Sequence, residues 1–327
     1  MQRRIFLKNS ANACMALSVL GFSCSKRSTN AENAPTSGPS SIGIQLYTIA
    51  ALLSENFRET LQMLAETGYK ELEFAGPYYF SAQEEIENSI MLKHLGLKGH
   101  GYYDHTPQEL KAFLDELGLR APSAHVSMQS LNHNLAEAMN AAQIIGHDYI
   151  VCPMLVISTL DEYKAAADKF NSIGEECKKT GIRFAYHNHS LEFATLDGEI
   201  AFDMLLERTD PDLVSFELDV FWTEVAGVDP VAYFNKYPGR FPLLHIKDMA
   251  QKMEAPNTDW QTFTDPEKAQ AMFARQSNIG EGIIDFQRIL ENAEKAGVKH
   301  YFIERDFPPN PSEFVKQSFD NFSRILT

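Results

Sequence analysis

From Ser41 onward the chain alternates between two hydrophobic rhythms. Short apolar runs rich in β-branched and aromatic residues are separated by longer stretches in which apolar positions recur every three or four residues. The first rhythm marks buried strands and the second marks amphipathic helices packed on one face. The predicted strands are Ile42–Tyr47, Tyr69–Phe74, Arg120–Val126, Tyr149–Cys152, Arg183–Tyr186, Leu213–Leu218, Phe241–Ile246 and Tyr301–Ile303. Helical spacing shows in Phe57, Leu61 and Leu64, in Leu110, Phe113, Leu114 and Leu117, and through 135–145, 163–177, 286–293 and 314–325. Gly68, Gly118, Gly146, Gly181 and Gly297 each close a helix shortly before a strand begins, where a left-handed residue turns the chain.

Repeated strand–helix units imply a parallel sheet, and eight of them imply a closed α/β barrel of the (β/α)8 type. An open doubly wound sheet would carry a glycine-rich phosphate loop after its first strand, and none follows Ile42–Tyr47. Two connections exceed the rest. One, 76–106, follows the second strand and holds Tyr78, Tyr79, Phe80, Tyr102 and Tyr103; the other, 249–282, follows the seventh and holds Trp260, Phe263 and Phe273. Both leave strand C-terminal ends, the face on which barrels carry active sites, so their aromatics suit a lid or stacking wall as well as simple self-packing.

The residues before Ser41 follow another pattern. Arg3-Arg4-Ile5-Phe6-Leu7-Lys8 precedes an apolar stretch, 11–22, without acidic residues. That order resembles a twin-arginine export signal, and the apolar stretch is too short for a permanent membrane span. Leu20-Gly21-Phe22-Ser23-Cys24 reads as a loose lipobox, which makes Cys24 a candidate lipid anchor. Residues 1–24 are therefore expected to be a leader, 25–41 a flexible tether, and 42–327 a single barrel domain, exported to the periplasm or tethered to a membrane. The 29 basic and 44 acidic residues give a formal net charge of −15, which opposes binding to nucleic acid. Cys14 and Cys24 fall in the leader, while Cys152 and Cys177 fall in a strand and a helix. They form neither a disulfide framework nor a thiolate metal site.

Chemistry enters where polar residues interrupt apolar strand ends: Glu73, His125, His187-Asn188-His189, Glu217 and Asp219, His245 with Lys247 and Asp248, and Glu304. In a barrel these ends converge on one mouth. Burying several ionisable groups there is costly unless they pair or share a metal. Each of strands five to eight ends in a nitrogen or oxygen donor, which is the pattern of a metal site rather than of isolated structural histidines.

These residues resemble the sugar phosphate isomerase/epimerase family, the xylose isomerase-like TIM barrels. The resemblance runs from about Ile42 to Leu326. It rests on Ile44-Gln45-Leu46-Tyr47, Tyr186-His187-Asn188-His189, Leu218-Asp219, His245-Ile246-Lys247-Asp248 and Ile279-Gly280-Glu281-Gly282-Ile283-Ile284-Asp285-Phe286. It implies one divalent ion with a ligand from each of strands five to eight, here His187, Asp219, His245 and Glu304. At strand five, His187 stands where the family usually has Glu, which leaves Asn188 and His189 open as the ligand. Two imidazoles and two carboxylates suit Zn, Mn, Co or Fe better than Mg or Ca.

The implied activity is isomerisation or epimerisation of a sugar, through an enediolate formed by removing a proton beside its carbonyl. Glu304, Lys247, His125 and Glu73 are the acid–base candidates, with Lys247 expected near Asp248 or Glu217. Gln45, Tyr47, Asn188, His189, Trp222 and Trp260 are expected to contact the substrate. The histidine at strand five disturbs a symmetrical two-base arrangement, so a keto-sugar lyase or inosose-type dehydratase is the alternative reaction. A non-catalytic sugar-binding barrel is the alternative of another class. No cluster of Arg or Lys suits a phosphate, which favours a free or keto-sugar, and the acidic balance speaks against the apurinic endonucleases of the same superfamily.

Overall fold

The computed structural model describes residues 41–88, 102–155, 157–259 and 261–327. The expected leader including Cys24, most of the tether, and Trp260 lie outside them. The barrel expected from the sequence is the one observed. Its strands are β1 Ile42–Gln45, β2 Glu71–Ala75, β3 Arg120–His125, β4 Tyr149–Cys152, β5 Arg183–His187, β6 Val214–Asp219, β7 Leu243–Ile246 and β8 His300–Ile303. They close in chain order, with β1 pairing parallel to both β2 and β8: Gly43 lies opposite Glu71 on one side and Phe302 on the other.

Strand boundaries depart from the apolar runs for local reasons. The first strand stops at Gln45 because the Gln45 side chain accepts the Tyr47 N–H and caps a short 3-10 turn, Leu46–Ile49. Tyr69, Leu213 and Phe241 lead into strands without pairing, while β5 and β6 run on to His187 and Asp219. Capping boxes start two of the outer helices, Thr106 with Glu109 before Pro107–Leu117 and Thr159 with Glu162 before Leu160–Lys179.

Side chains alternate across each strand, so every second residue faces the barrel interior. Tyr149, Val151, Ala185, Leu243 and Phe302 form the apolar plug of that interior. Two residues further along the same strands lie His187, His245 and Glu304, and the next step along β7 and β8 gives Lys247 and Asp306. The same alternation places Gln45 above Gly43, Glu73 above Glu71, His125 above Ser123, and Asp219 above Glu217. Gly43 has no room for a side chain, because a Cβ there would stand 2.6 Å from the Phe302 ring. The strand period thus stacks a polar layer directly on the apolar plug.

The aromatics after β2 pack on themselves. Tyr78 stacks on Phe80 and touches Tyr102, which in turn sits edge-on to Phe74. The longer connection after β7 is not structureless: Asp248–Met249 pairs with Gln276–Ser277 around helices Gln261–Thr264 and Pro266–Phe273. Cys152 and Cys177 are buried thiols.

Candidate active site

The polar layer is organised around the buried ring of His245. Its Nε2 lies 2.6 Å from Glu73 Oε2 and 3.2 Å from Glu217 Oε2, and its Nδ1 lies 2.7 Å from Glu304 Oε2. On the β2–β3 side, His125 Nε2 stands 2.8 Å from Glu217 Oε2 and 3.2 Å from Glu73 Oε2. Gln45 donates to Glu73 Oε2 at 2.7 Å, and the Ser123 hydroxyl donates to the other Glu73 oxygen. Gln45, expected to touch substrate, is therefore spent on holding Glu73 and capping its own turn. Tyr47 does border the cavity and packs edge-on to Phe307.

On the β7–β8 side Lys247 is enclosed by carboxylates. Its Nζ lies 2.8 Å from Glu304 Oε2, 3.0 Å from Asp306 Oδ2 and 3.5 Å from Asp219 Oδ2. Of the two partners expected, Glu217 lies instead with His125, His187 and His245, and Asp248 is engaged elsewhere. The Asp248 carboxylate accepts the backbone N–H groups of Met249, Gly280, Gly282 and Ile284, because it faces the opposite way along the strand. Asp306, absent from the sequence-based set, takes that place; it lies past the strand end in a segment that reads as loop. Asp306 also accepts from Gln276 at 2.6 Å.

Strand β5 ends in three residues with separate fates. His187 Nδ1 is 3.1 Å from Glu217 Oε2 and its Nε2 is 3.9 Å from Asp219 Oδ2. Asn188 accepts the Asp219 N–H and donates to the His189 carbonyl, so it serves the backbone. The His189 N–H is held by Glu192, whose carboxylate also receives the Tyr186 hydroxyl. The His189 ring packs against Trp222 and Phe263, and its Nδ1 has no hydrogen-bond partner. Glu192 is a functional support that the sequence hides, since Ser190-Leu191-Glu192-Phe193 reads as the start of a loop.

Burial and neighbouring charge set the protonation of the layer. Burial alone would raise Glu73, but His125 and His245 beside it draw its pKa well below the carboxylate range. Burial opposes the charge on His125, yet Glu73 and Glu217 raise it to about 9. Burial pushes Asp219 up to about 6 and His189 down to about 3, the latter helped by the Lys247 charge. Lys247 is held protonated: burial works against it, and Asp306, Glu304 and Asp219 outweigh burial.

Two groups of donors could hold a cation, His125, His187, Glu217 and His245, and Asp219, His245 and Glu304. Glu217 Oε1 and Asp219 Oδ2 are buried with no hydrogen-bond partner, an arrangement that is costly unless a cation satisfies them. Around Asp219 Oδ2, His187 Nε2 and His245 Nδ1 stand at 3.9 and 3.8 Å. Ligand atoms of a tetrahedral site with bonds of about 2.1 Å are roughly 3.4 Å apart, so these residues fit a divalent ion.

Above the layer opens a cavity of about 780 Å³. His125, His187, His189, Lys247, Glu304 and Asp306 form its floor, while Trp222, Phe263, Phe273, Phe307 and Tyr47 wall it. Lys247 is the one Lys or Arg among the described lining residues.

A parallel barrel with imidazoles and carboxylates converging beneath a deep mouth cavity defines a TIM-barrel enzyme. The chain belongs to the xylose isomerase-like TIM barrel family, whose profile matches residues 61–324. Among its relatives, an inosose dehydratase of Lacticaseibacillus casei is 27% identical over 262 residues, covering 71% of this chain and 86% of the relative. The crystal structure of a sugar phosphate isomerase/epimerase from Parabacteroides distasonis superposes with a TM-score of 0.68 at 26% identity, covering 90% of this chain and 98% of that one. The IOLI protein, crystallised with a bound zinc atom, matches with a TM-score of 0.63 over 88% of this chain and 98% of its own; at 13% identity that likeness is one of fold.

Proposed function

We propose that this enzyme removes the proton beside the carbonyl of a non-phosphorylated keto-sugar or keto-polyol and expels water or another leaving group from the next carbon. The observation that carries this reading is the asymmetry of the site. One side presents the Lys247 ammonium among Glu304, Asp306 and Asp219, and the other presents the imidazoles of His125, His187 and His189. Elimination needs one base and one acid, and an asymmetric site supplies unlike groups. The relative named inosose dehydratase supports the same outcome.

His187, Asp219, His245 and Glu304 would hold a divalent ion, which when bound supplies Lewis acidity toward carbonyl and hydroxyl oxygens. The Lys247 ammonium is positioned by three carboxylates to steady negative charge on a substrate oxygen and to protonate a departing one. Burial and the Lys247 charge keep the His189 ring neutral, and its Nδ1 and the Nε1–H of Trp222 are buried polar atoms without a protein partner beside the cavity. Glu73 braces the His245 ring and Gln45 holds Glu73, whereas His125 reaches the cavity floor. A lone lysine already matched by three carboxylates leaves no charge for a phosphate.

Isomerisation or epimerisation is the second reading. It is favoured by the likeness to the sugar phosphate isomerase/epimerase of Parabacteroides distasonis, and by Glu304, whose carboxylate reaches the cavity floor beside Lys247. Incubation of metal-loaded enzyme with inososes and keto-sugars in D₂O separates the two. Loss of water from the substrate supports elimination; deuterium beside the carbonyl without loss of a substituent selects isomerisation; neither change across the panel overturns both. We also propose, from residues 1–24 alone, that the enzyme works after export, which cell fractionation tests.

A further inference from the structure

We propose that the outer half of the cavity is a subsite for an aromatic aglycone, so that the substrate is an aryl glycoside of the sugar rather than a free monosaccharide. This rests on the sugar-site reading above. A cavity of about 780 Å³ has room for roughly two dozen water molecules at about 30 Å³ each, several times what one sugar ring displaces. The floor gathers the ionisable groups, and a sugar seated there leaves the outer volume unfilled.

That outer volume is walled by flat rings. Tyr47, Phe307 and Phe273 form an edge-to-face series with centroids 5.3 and 5.4 Å apart, and Trp222 and Phe263 pack together at 5.0 Å. Phe307 is 36% exposed and holds a φ of +49°, a left-handed conformation unfavourable for a bulky residue. Tyr47 and Phe273 hold the edges of this phenyl and leave the rest of the ring open on the rim of the site, where it can meet a ligand. Polar groups are scarce on this wall, and one oxygen of the Glu85 carboxylate accepts the hydroxyls of both Ser127 and Ser130. A second sugar would leave hydroxyls buried without partners, whereas a planar apolar group would not.

Calorimetric titration of the metal-loaded enzyme tests this, with methyl and 4-nitrophenyl glucosides in both anomers, cellobiose, 4-nitrophenol and an inosose as probes. The expected result is at least tenfold tighter binding of a 4-nitrophenyl glucoside than of its methyl counterpart. Phe307→Ala and Phe273→Ala should bring the aryl affinity down toward the methyl one, while Phe307→Leu, which keeps apolar bulk without a ring, should recover only part. Thermal unfolding serves as the folding control. Equal affinity for methyl and aryl glucosides, or cellobiose matching the aryl glucoside, overturns the proposal and leaves the sugar site standing. Inosose binding with no glucoside binding does the same. Binding of 4-nitrophenol as tight as that of its glucoside, unchanged by His245→Ala, removes the sugar-site reading as well.

Discussion

Nε2 of His245 and the carboxylate of Glu73 meet 2.6 Å apart across the barrel interior, joining β7 to β2 over 172 residues of chain. The opposite nitrogen of the same ring faces Glu304 on the adjacent strand. Glu73 thus fixes the imidazole from behind, as an outer carboxylate orients a metal-binding histidine, and leaves Nδ1 on the side of Glu304 and Asp219.

Replacing that ring removes both anchors. His245→Ala is expected to lower divalent-ion affinity by at least a hundredfold, since partners one shell further out already account for 10- to 100-fold. It should also destabilise the fold by about 1–3 kcal/mol, because Glu73 and Glu304 each lose one buried hydrogen-bond partner. Metal analysis of protein purified without chelator, beside denaturant unfolding, checks both outcomes. A full complement of ion in the variant would remove His245 from the ligand set.

Lys247 is expected to act on the reaction and not on ion retention. Lys247→Met should keep the bound ion and lower kcat by about 10²–10³-fold, the range seen when one preorganised donor is lost. Metal content and steady-state kinetics on the same preparation decide it, and loss of the ion with the lysine would reassign it to assembly of the site.

Gly282 lies against the Asp248 carboxylate and the Met249 carbonyl, and a Cβ there would collide with both. Gly282→Ala is expected to cost about 1–3 kcal/mol of stability, the usual price of overpacking. It should reduce activity too, because the displaced Asp248 is the chain neighbour of Lys247. Thermal unfolding with kinetics tests this, and a fully active variant of native stability would show that the turn relaxes freely.

His147 gives a pH dependence away from the site. It is buried, its Nδ1 donates to the Ala121 carbonyl and its Nε2 accepts from the Tyr102 hydroxyl at 3.2 Å. Burial pushes its pKa down to about 4. Between its unfolded value near 6.5 and about 4, the unfolded chain binds a proton that the folded chain does not. Stability therefore falls as pH falls through that window, by roughly 3 kcal/mol in full. Denaturant unfolding from pH 7 to pH 4 should show this slope, and His147→Gln should flatten it.

Much of this was legible in the chain because apolar strands leave polar residues nowhere to hide. Asp219, His245 and Glu304 interrupt such runs, and strand alternation carries them to one mouth. Lys247 was visible for the same reason, as were its neighbours Glu304 and Asp219, but its third carboxylate was not. Asp248 adjoins it in sequence and faces away, whereas Asp306 comes from another strand and follows the end of its apolar run. Glu192 was hidden because support of His189 through a backbone N–H leaves no periodic trace. The aromatics after β2 could equally have lined the cavity. Only tertiary packing shows that Tyr78, Phe80 and Tyr102 bury one another. The Gly280-Glu281-Gly282 turn, recognisable as a motif, finds its cause in Asp248.

The links from Glu73 to His245 and from His125 to Glu217 each span the first four strands and the last four. Neither half of the barrel owns a finished site: one brings the braces and the other brings most of the donors. A chain stalled before β8 seats would display unquenched acids and rings without orientation. For this enzyme, closing the barrel and assembling the site are one and the same step.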